Sequence, residues 1–228
     1  GDHRELHSFP TRRSSDLNQG PLPFYYVQIA PFQYGEEDPF ILPVFWEAQA
    51  AAQAIPDTGM AVIHDVGNIR DIHPRNKQEV GRRLALLALA KTYGAKDTVF
   101  SGPVFQSLSP EGAKLRVTFA HAHGGLVTRD GKPPSHFEII GEGTDFVPAE
   151  AAIDGDSVVL TSPACTNPVA VRFGWHKTAE PNLANGAGLP AVQFRAGEVP
   201  TLDWLAIKVA ESKDYRLVYS LEIGRAPV

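Results

Sequence analysis

The first hundred residues combine continuous apolar runs with segments of helical character. Apolar runs occupy residues 23–32 and 59–66, and their lack of alternation is typical of strands buried on both faces of a parallel sheet. The alanine-rich segment 42–56 ends at a proline and predicts a helix. A second helix is predicted over residues 76–93, before Gly94. This order predicts an α/β layer with a parallel sheet, and two strands are too few to complete it, so we expect further strands upstream.

From about residue 96 the hydrophobic pattern changes to short runs with a period of two. Turn signals such as Asp154-Gly155-Asp156 separate these runs, which predicts an all-β, sandwich-like region. We therefore expect residues 18–95 to be the C-terminal part of an α/β domain and 96–228 to be β-rich, with one or two further strands at 203–224. The alternating runs are KLRVTFAHA (114–122), HFEIIG (136–141), SVVLTSP (157–163) and AVRFGW (170–175).

Residues 1–17 fit neither pattern. They are polar and show neither the period of a strand nor that of a helix. The stretch HSFPTRRSSDL (7–17) resembles the translated remnant of a sequencing adapter. We interpret residues 1–17 as non-native, with a natural disordered linker as the alternative, and assign them no function.

Composition narrows the classes of partner. The net charge of -5 and the lack of a basic run argue against nucleic-acid binding. No apolar stretch approaches the roughly 20 residues that a membrane-spanning helix needs. The single cysteine, Cys165, excludes an internal disulfide and says little about compartment. We expect neither a nucleic-acid nor a membrane partner.

The most informative chemistry lies between the second apolar run and the second helix. His73 is placed in a loop after a strand, where open α/β sheets bind their ligands. A histidine in such a loop can act as a general base if a carboxylate holds its tautomer. Asp71 is one candidate carboxylate and Asp65 is the second. The alternative is that His73 only packs beside the helix N-terminus, with Pro74 in the first turn.

The residues around His73 also carry a family resemblance. The block DIHPRNKQEVGRRLA (71–85), preceded by IPDTGMAV (55–62), resembles the histidine block of sialate O-acetylesterases and their bacterial relatives, which are SGNH-type hydrolases with a flavodoxin-like fold. Three later blocks are similar to the β-rich C-terminal region of that family: residues 137–163, 167–175 and 183–195. The resemblance implies a partial flavodoxin-like parallel sheet followed by the sandwich-like region.

The resemblance carries over to few catalytic positions. It implies that His73 is the catalytic histidine. Many SGNH enzymes place the acidic partner three residues before the histidine, where this chain has Arg70, so Asp71 departs from the usual spacing. The nucleophile of the family lies in a Gly-Gln-Ser-Asn type motif, and neither this motif nor the oxyanion-hole block occurs in the chain.

Three other features compete for a functional role. Gly155-Asp156-Ser157 copies a superfamily nucleophile motif, but its position predicts a hairpin turn rather than a strand-to-helix elbow. His121 and His123 have a spacing that suits metal ligands, yet zinc needs a third ligand, and we expect a surface pair at a strand end. Trp175 suits stacking on a sugar, although a buried core position is commoner.

The sequence thus predicts a serine-type carbohydrate O-acetylesterase without metal or organic cofactor, acting on acetylated sialic acid or polysaccharide. We expect the full-length enzyme to be secreted or periplasmic, and this chain to be truncated and inactive because the serine is missing. One alternative is a non-catalytic carbohydrate-binding module formed by the β-rich region. Another is an intact hydrolase that uses Ser157.

Overall fold

The computed structural model describes residues 22–73, 75–141 and 145–197. The interpretation of residues 1–17 and the strands predicted at 203–224 lie outside these residues. The described part has mixed α and β structure with mostly antiparallel sheets and few helices. None of its helices is long and apolar enough to cross a membrane.

A parallel strand pair and two helices form the first region. Strand β1 (Phe24–Val27) pairs in parallel with β2 (Thr58–Ala61), and helix α1 (Ile41–Ala51) connects them. Helix α2 (Lys77–Leu87) follows β2 after a long loop. The predicted order of strand, helix, strand, loop and helix is confirmed, and the described residues supply one parallel pair of the expected sheet.

One strand expectation is wrong in its burial. All four residues of β2 are buried, but Phe24 is exposed and the rest of β1 is only half-buried. The reason is that β1 has a single strand neighbour among the described residues. The strand is also shorter than the apolar run 23–32 suggested, because the chain leaves the sheet after Val27.

The helix ends follow local backbone chemistry. Helix α1 continues as one 3₁₀ turn and stops at Ile55, whose extended backbone is the conformation that the following proline favours. At the start of α2 the Asn76 side chain accepts a hydrogen bond from the amide of Glu79 at 3.1 Å, which caps the first turn. A π-helical turn, Ala88–Thr92, extends α2, and Gly94 ends it at φ 69°.

In its described residues, the second region contains two four-stranded antiparallel sheets and a two-stranded ribbon. The first sheet has the order β3-β4-β9-β8, the second β12-β10-β6-β7, and the ribbon pairs β11 with β5. The strands, in chain order, are β3 (Val104–Glu111), β4 (Lys114–Ala120), β5 (Leu126–Thr128), β6 (Phe137–Gly141), β7 (Val147–Pro148), β8 (Glu150–Asp154), β9 (Ser157–Thr161), β10 (Pro168–Phe173), β11 (Leu183–Asn185) and β12 (Phe194–Gly197).

The core of this region lies between the two large sheets. Alternate residues of β4 are fully buried and belong to one cluster with side chains from β6, β9, β10 and β12. Phe194 joins the sheets, since its ring stacks on Phe105 with centroids 4.8 Å apart and meets the edge of Phe119. Inward-facing residues from both sheets therefore share one core, as the alternating sequence pattern predicts for a sandwich.

The two regions pack directly against each other. Val192, just before β12, forms a cluster with Met60 and Val62 at the end of β2. Arg195 makes a two-point ion pair with Glu47 of α1, with N–O distances of 2.9 and 3.0 Å. These contacts fix the β-rich region against the parallel strand pair.

A close backbone approach at this junction gives a stability prediction. A Cβ added to Gly102 would overlap the carbonyl oxygen of Pro190, whereas one added to Gly81 on α2 would meet nothing within 4 Å. Gly102→Ala should therefore lower the free energy of unfolding by about 1–3 kcal/mol, because the backbone must move. Gly81→Ala should raise it by up to about 1 kcal/mol through helix propensity. Urea unfolding of both variants measures this, and equal effects would contradict it.

Candidate active site

The loop between β2 and α2 is shaped by short-range hydrogen bonds from its backbone amides. The amide of Asp71 donates to the carbonyl oxygen of Asn68 at 3.0 Å, and the amide of Arg70 donates to the Asn68 side chain at 2.9 Å. The amide of His73 in turn donates to Asp71 Oδ1 at 3.1 Å. Asn and Asp side chains commonly stabilise turns in this way. The loop thus places Asp71 and His73 side by side beyond the carboxyl end of β2.

The structure brings together the two residues singled out as catalytic candidates. His73 Nδ1 lies 3.7 Å from Asp71 Oδ1, which is longer than a hydrogen bond. The His73 side chain is 84% exposed and that of Asp71 38%. Catalytic hydrogen bonds are often long in a free enzyme and shorten when substrate binds. The arrangement is that of a solvent-accessible imidazole with a carboxylate on its Nδ1 side.

Asp65 forms an ion pair with Arg83 and not with His73. Its carboxylate forms a two-point ion pair with Arg83 at 2.6 and 2.7 Å, and both side chains are buried. Burial acts to raise the pKa of Asp65, but the hydrogen bonds and charge of Arg83 outweigh it and hold the pKa below its usual value. Of the two candidate carboxylates, Asp71 is the one that faces His73, while Asp65 neutralises a buried guanidinium.

Arg83 fastens the loop at both ends. It donates to the carbonyl oxygen of Val62 at 2.6 Å, just beyond β2, and to Glu79 at 2.8 Å on its own helix. Hydrogen bonds from Arg82, and further ones from Arg83, lower the pKa of Glu79 to about 2 against the opposing effect of burial. Sequence reasoning missed Arg83. Its one signal was its spacing from Leu87, four residues on, which places a charged residue on the apolar face of the helix.

A cleft opens at the same edge of the strand pair. It has a volume of about 390 Å³ and is lined by residues 32–36, which follow β1, by Ile69 and Arg70 of the His73 loop, and by Lys177 of the β-rich region. The amide of Gln33 donates to the carbonyl oxygen of Ile69 at 2.8 Å, which joins the two loops. The cleft is therefore built from both regions and from the loop that carries Asp71 and His73.

No family model matches the chain. It is 29% identical over 170 residues to the sialate O-acetylesterase of Rattus norvegicus, covering 68% of this chain and 31% of that protein. It is 36% identical over 94 residues to the sialate O-acetylesterase of Mus musculus, covering 36% of this chain and 17% of that protein.

A solved structure is similar over more of the chain. The crystal structure of a carbohydrate acetylesterase from Xanthomonas citri matches with a TM-score of 0.76 and 39% identity over 82% of this chain and 44% of that one. These relatives support the assignment of the chain to the sialate O-acetylesterase family. The chain spans less than half the length of each of these relatives.

The structure also locates Ser157, the competing candidate for the nucleophile. Ser157 opens β9 after the two-residue turn of a hairpin, and Asp154 pairs with it across that turn. Its side chain is buried, and its hydroxyl hydrogen-bonds with that of Thr118 at 3.0 Å. The prediction of a hairpin turn at this motif is confirmed.

Trp175 lies in the core, and His121 and His123 form a surface pair at a strand end, as the simpler interpretations of the sequence predicted. Trp175 is buried, and the guanidinium of Arg195 covers its ring at 5.0 Å, so the ring has no free face for a sugar on that side. His121 and His123 follow the end of β4 with ring centroids 5.8 Å apart. Within the described ranges no cluster of three ligating side chains suits a metal ion.

His64 joins the parallel strand pair to the β-rich region. It is buried just beyond β2, and its Nε2 donates to the carbonyl oxygen of Ala191 at 2.9 Å. Its Nδ1 has no hydrogen-bond partner among the described residues, so the ring is neutral with its proton on Nε2. Burial lowers the pKa of His64 to about 4. A protonated His64 would place an unpaired charge in the junction between the regions.

The ion pair under the His73 loop gives a prediction with a matched control. Arg83→Met should lower the free energy of unfolding by about 3–5 kcal/mol, because Asp65 keeps a buried charge without a partner. Arg82→Met, on the next residue, removes an exposed ion pair and should cost only about 0–1 kcal/mol. Urea denaturation monitored by circular dichroism measures both. Similar losses in the two variants would show that burial of the Asp65 pair does not matter.

His64 predicts a pH dependence of stability. Its folded pKa of about 4 lies below the unfolded value of about 6.5, so the unfolded chain binds more protons between these pH values. Its contribution is complete above pH 6.5 and is lost as the pH falls toward 4, by on the order of 3 kcal/mol. His64→Gln, which keeps a donor for Ala191 and does not titrate, should flatten this part of the stability curve.

Exposed His176 supplies the control. His176→Gln should flatten the slope between pH 6.5 and 4 less than His64→Gln does, since this side chain lies at the surface beside Thr178. Equilibrium urea unfolding at several pH values gives the slopes. Equal flattening in both histidine variants would contradict the assignment to His64.

Proposed function

We propose that the chain belongs to an enzyme that removes O-acetyl groups from sugars, with His73 as general base and Asp71 as the carboxylate that orients it. The observation that carries this proposal is the position of Asp71, 3.7 Å from His73 Nδ1 beside the cleft formed beyond both parallel strands. Ligand sites of open α/β sheets lie at this edge. The likeness to a carbohydrate acetylesterase supports the same chemistry.

The proposed reaction is acyl transfer through a serine. His73 Nε2 accepts the serine proton as the serine oxygen attacks the acetyl carbonyl, and the resulting imidazolium then protonates the departing sugar oxygen. Water, activated by the same imidazole, attacks the acetyl-serine and releases acetate. Asp71 stabilises the imidazolium in both steps. These steps need no metal or organic cofactor.

We infer that the nucleophile comes from a part of the enzyme outside these 228 residues. Ser157 is unsuitable because it lies inside a hairpin strand with its hydroxyl bound to Thr118. The parallel pair β1-β2 then belongs to a larger flavodoxin-like sheet of the SGNH type, which would supply the serine and the oxyanion donors. The chain alone is proposed to be inactive.

The proposed substrate is an acetylated sugar, either sialic acid or a polysaccharide. The cleft of about 390 Å³ is within the usual size of small-molecule sites. Its lining includes the exposed guanidinium of Arg70 and the carboxylate of Glu36. A secreted or periplasmic location is proposed for the enzyme.

A chimaera tests the proposal. The part of the Xanthomonas citri enzyme that lies outside the matched stretch is joined to residues 22–197 of this chain, and acetate release from O-acetylated sugars is measured. The chimaera should be active and the chain alone inactive. His73→Ala should abolish turnover, and Asp71→Asn should reduce kcat by about 10²-fold or more, because the imidazole loses its orienting charge.

Ser157→Ala and Asp65→Asn separate the competing assignments. Ser157→Ala should leave kcat of the chimaera unchanged. Asp65→Asn should reduce stability more than Asp71→Asn does, while Asp71→Asn should reduce kcat more. Hydrolysis of p-nitrophenyl acetate by the chain alone, lost in Ser157→Ala but kept in His73→Ala, would overturn the proposal.

A further inference from the structure

The segment that walls the cleft is held by a buried lysine from the other region. Lys177 lies between β10 and β11 and is only 9% exposed. Its ammonium donates to the carbonyl oxygens of Tyr34, Gly35 and Glu37 at 2.7, 2.9 and 2.9 Å. An ammonium has three N–H donors, and all three are used here. Lys177 is therefore occupied by the backbone, although it borders the cleft.

The backbone of Lys177 also forms hydrogen bonds with both ends of this segment. Its amide donates to the carbonyl oxygen of Pro39 at 2.8 Å, and its carbonyl oxygen accepts from the amide of Phe32 at 2.9 Å. One residue thus fixes residues 32–39 through five hydrogen bonds, three from the side chain and two from the backbone. Within this segment Phe32 and Tyr34 pack edge to face, with centroids 4.9 Å apart.

The 32–39 segment contacts the loop that carries the candidate catalytic pair. The backbone amide of Gln33 donates to the carbonyl oxygen of Ile69 at 2.8 Å. Asp71 follows two residues later, and its own carboxylate holds the amide of His73. A continuous path of hydrogen bonds and short chain segments therefore runs from Lys177 through Gln33 and Ile69 to Asp71 and His73.

We propose that Lys177 is a positioning residue of the active site: it fixes the cleft wall and, through Gln33 and Ile69, the loop of Asp71 and His73. The catalytic meaning of this role rests on the proposed function, whereas the mechanical coupling does not. An ammonium is costly to bury, and three converging carbonyl oxygens are costly to leave unpaired. The pairing makes the 32–39 segment depend on the β-rich region, which acts as a scaffold for the cleft.

Amide exchange measured by NMR on the chain itself tests this coupling. Lys177→Met keeps the length of the side chain but removes its donors. Exchange at the amides of Phe32, Gln33 and His73 should speed up by about tenfold or more, because charge-assisted hydrogen bonds hold the segment. Amides in the core strands β4 and β10 should stay within about twofold of their original rates, since local opening leaves the sandwich intact. Lys132→Met, at an exposed turn, is the control and should change none of these rates.

A conservative variant guards against simple loss of folding. Lys177→Arg retains the charge and several donors, so it should restore part of the protection at Gln33 and His73 relative to Lys177→Met. If Lys177→Met does not fold, the same comparison is made between Lys177→Arg and the original chain, with faster exchange confined to the 32–39 segment and the His73 loop. Unchanged exchange in that segment, acceleration that stops at Gln33 without reaching His73, or an equal increase throughout the core would each overturn the proposal.

The exchange result does not depend on esterase activity. Local acceleration in a chain whose chimaera is inactive would support the coupling and refute the proposed function. Where the chimaera is active, Lys177→Met should reduce kcat/KM by about tenfold, the factor expected if the paired geometry of Asp71 and His73 is held only part of the time. Lys177→Arg should recover part of this loss. A fully active Lys177→Met chimaera would sink the positioning role even if exchange rates change.

Discussion

The buried ion pair between Asp65 and Arg83 joins the helix after the candidate catalytic loop to the end of the strand before it. Arg83 reaches from helix α2 to the carboxyl end of β2, where it also holds the carbonyl oxygen of Val62. Such a pair is costly to bury and favourable only with good geometry and additional hydrogen bonds. The two-point contact supplies the geometry, and the bonds of Arg83 to Val62 and Glu79 supply the additional hydrogen bonds. The loop of Asp71 and His73 is therefore exposed at its tip and fixed at its base.

The β-rich region contributes to the same edge rather than standing apart from it. His64 binds Ala191, Glu47 binds Arg195, and Lys177 holds the segment after β1. Its buried tryptophan is covered by an arginine. A separate sugar-binding module would need an accessible aromatic face. In the described residues, the β-rich region instead supports the cleft, through Lys177. The sandwich thereby contacts the segments that follow both parallel strands.

The sequence predicted the elements well where the local signal was strong. Gly94 and the proline after Ile55 marked helix ends that the structure confirms. The period of two identified β4, β6, β9 and β10. The burial of β1 was predicted wrongly, because an apolar run reports the hydrophobicity of a strand and not the number of its neighbours. The proposed domain limits stay predictions, as do the roles of His73 and Asp71.

The sequence by itself determined the order of strands and helices, the hairpin at Ser157 and the place of His73 after a buried strand. These features depend on residues close together along the chain, through periodicity, capping and turn chemistry. Tertiary structure alone decided that Asp65 faces Arg83, that Asp71 faces His73, and that Lys177 meets the carbonyl oxygens of residues more than a hundred positions earlier. Those choices depend on which charged groups burial brings together, and a charge in a sequence does not reveal its distant partner.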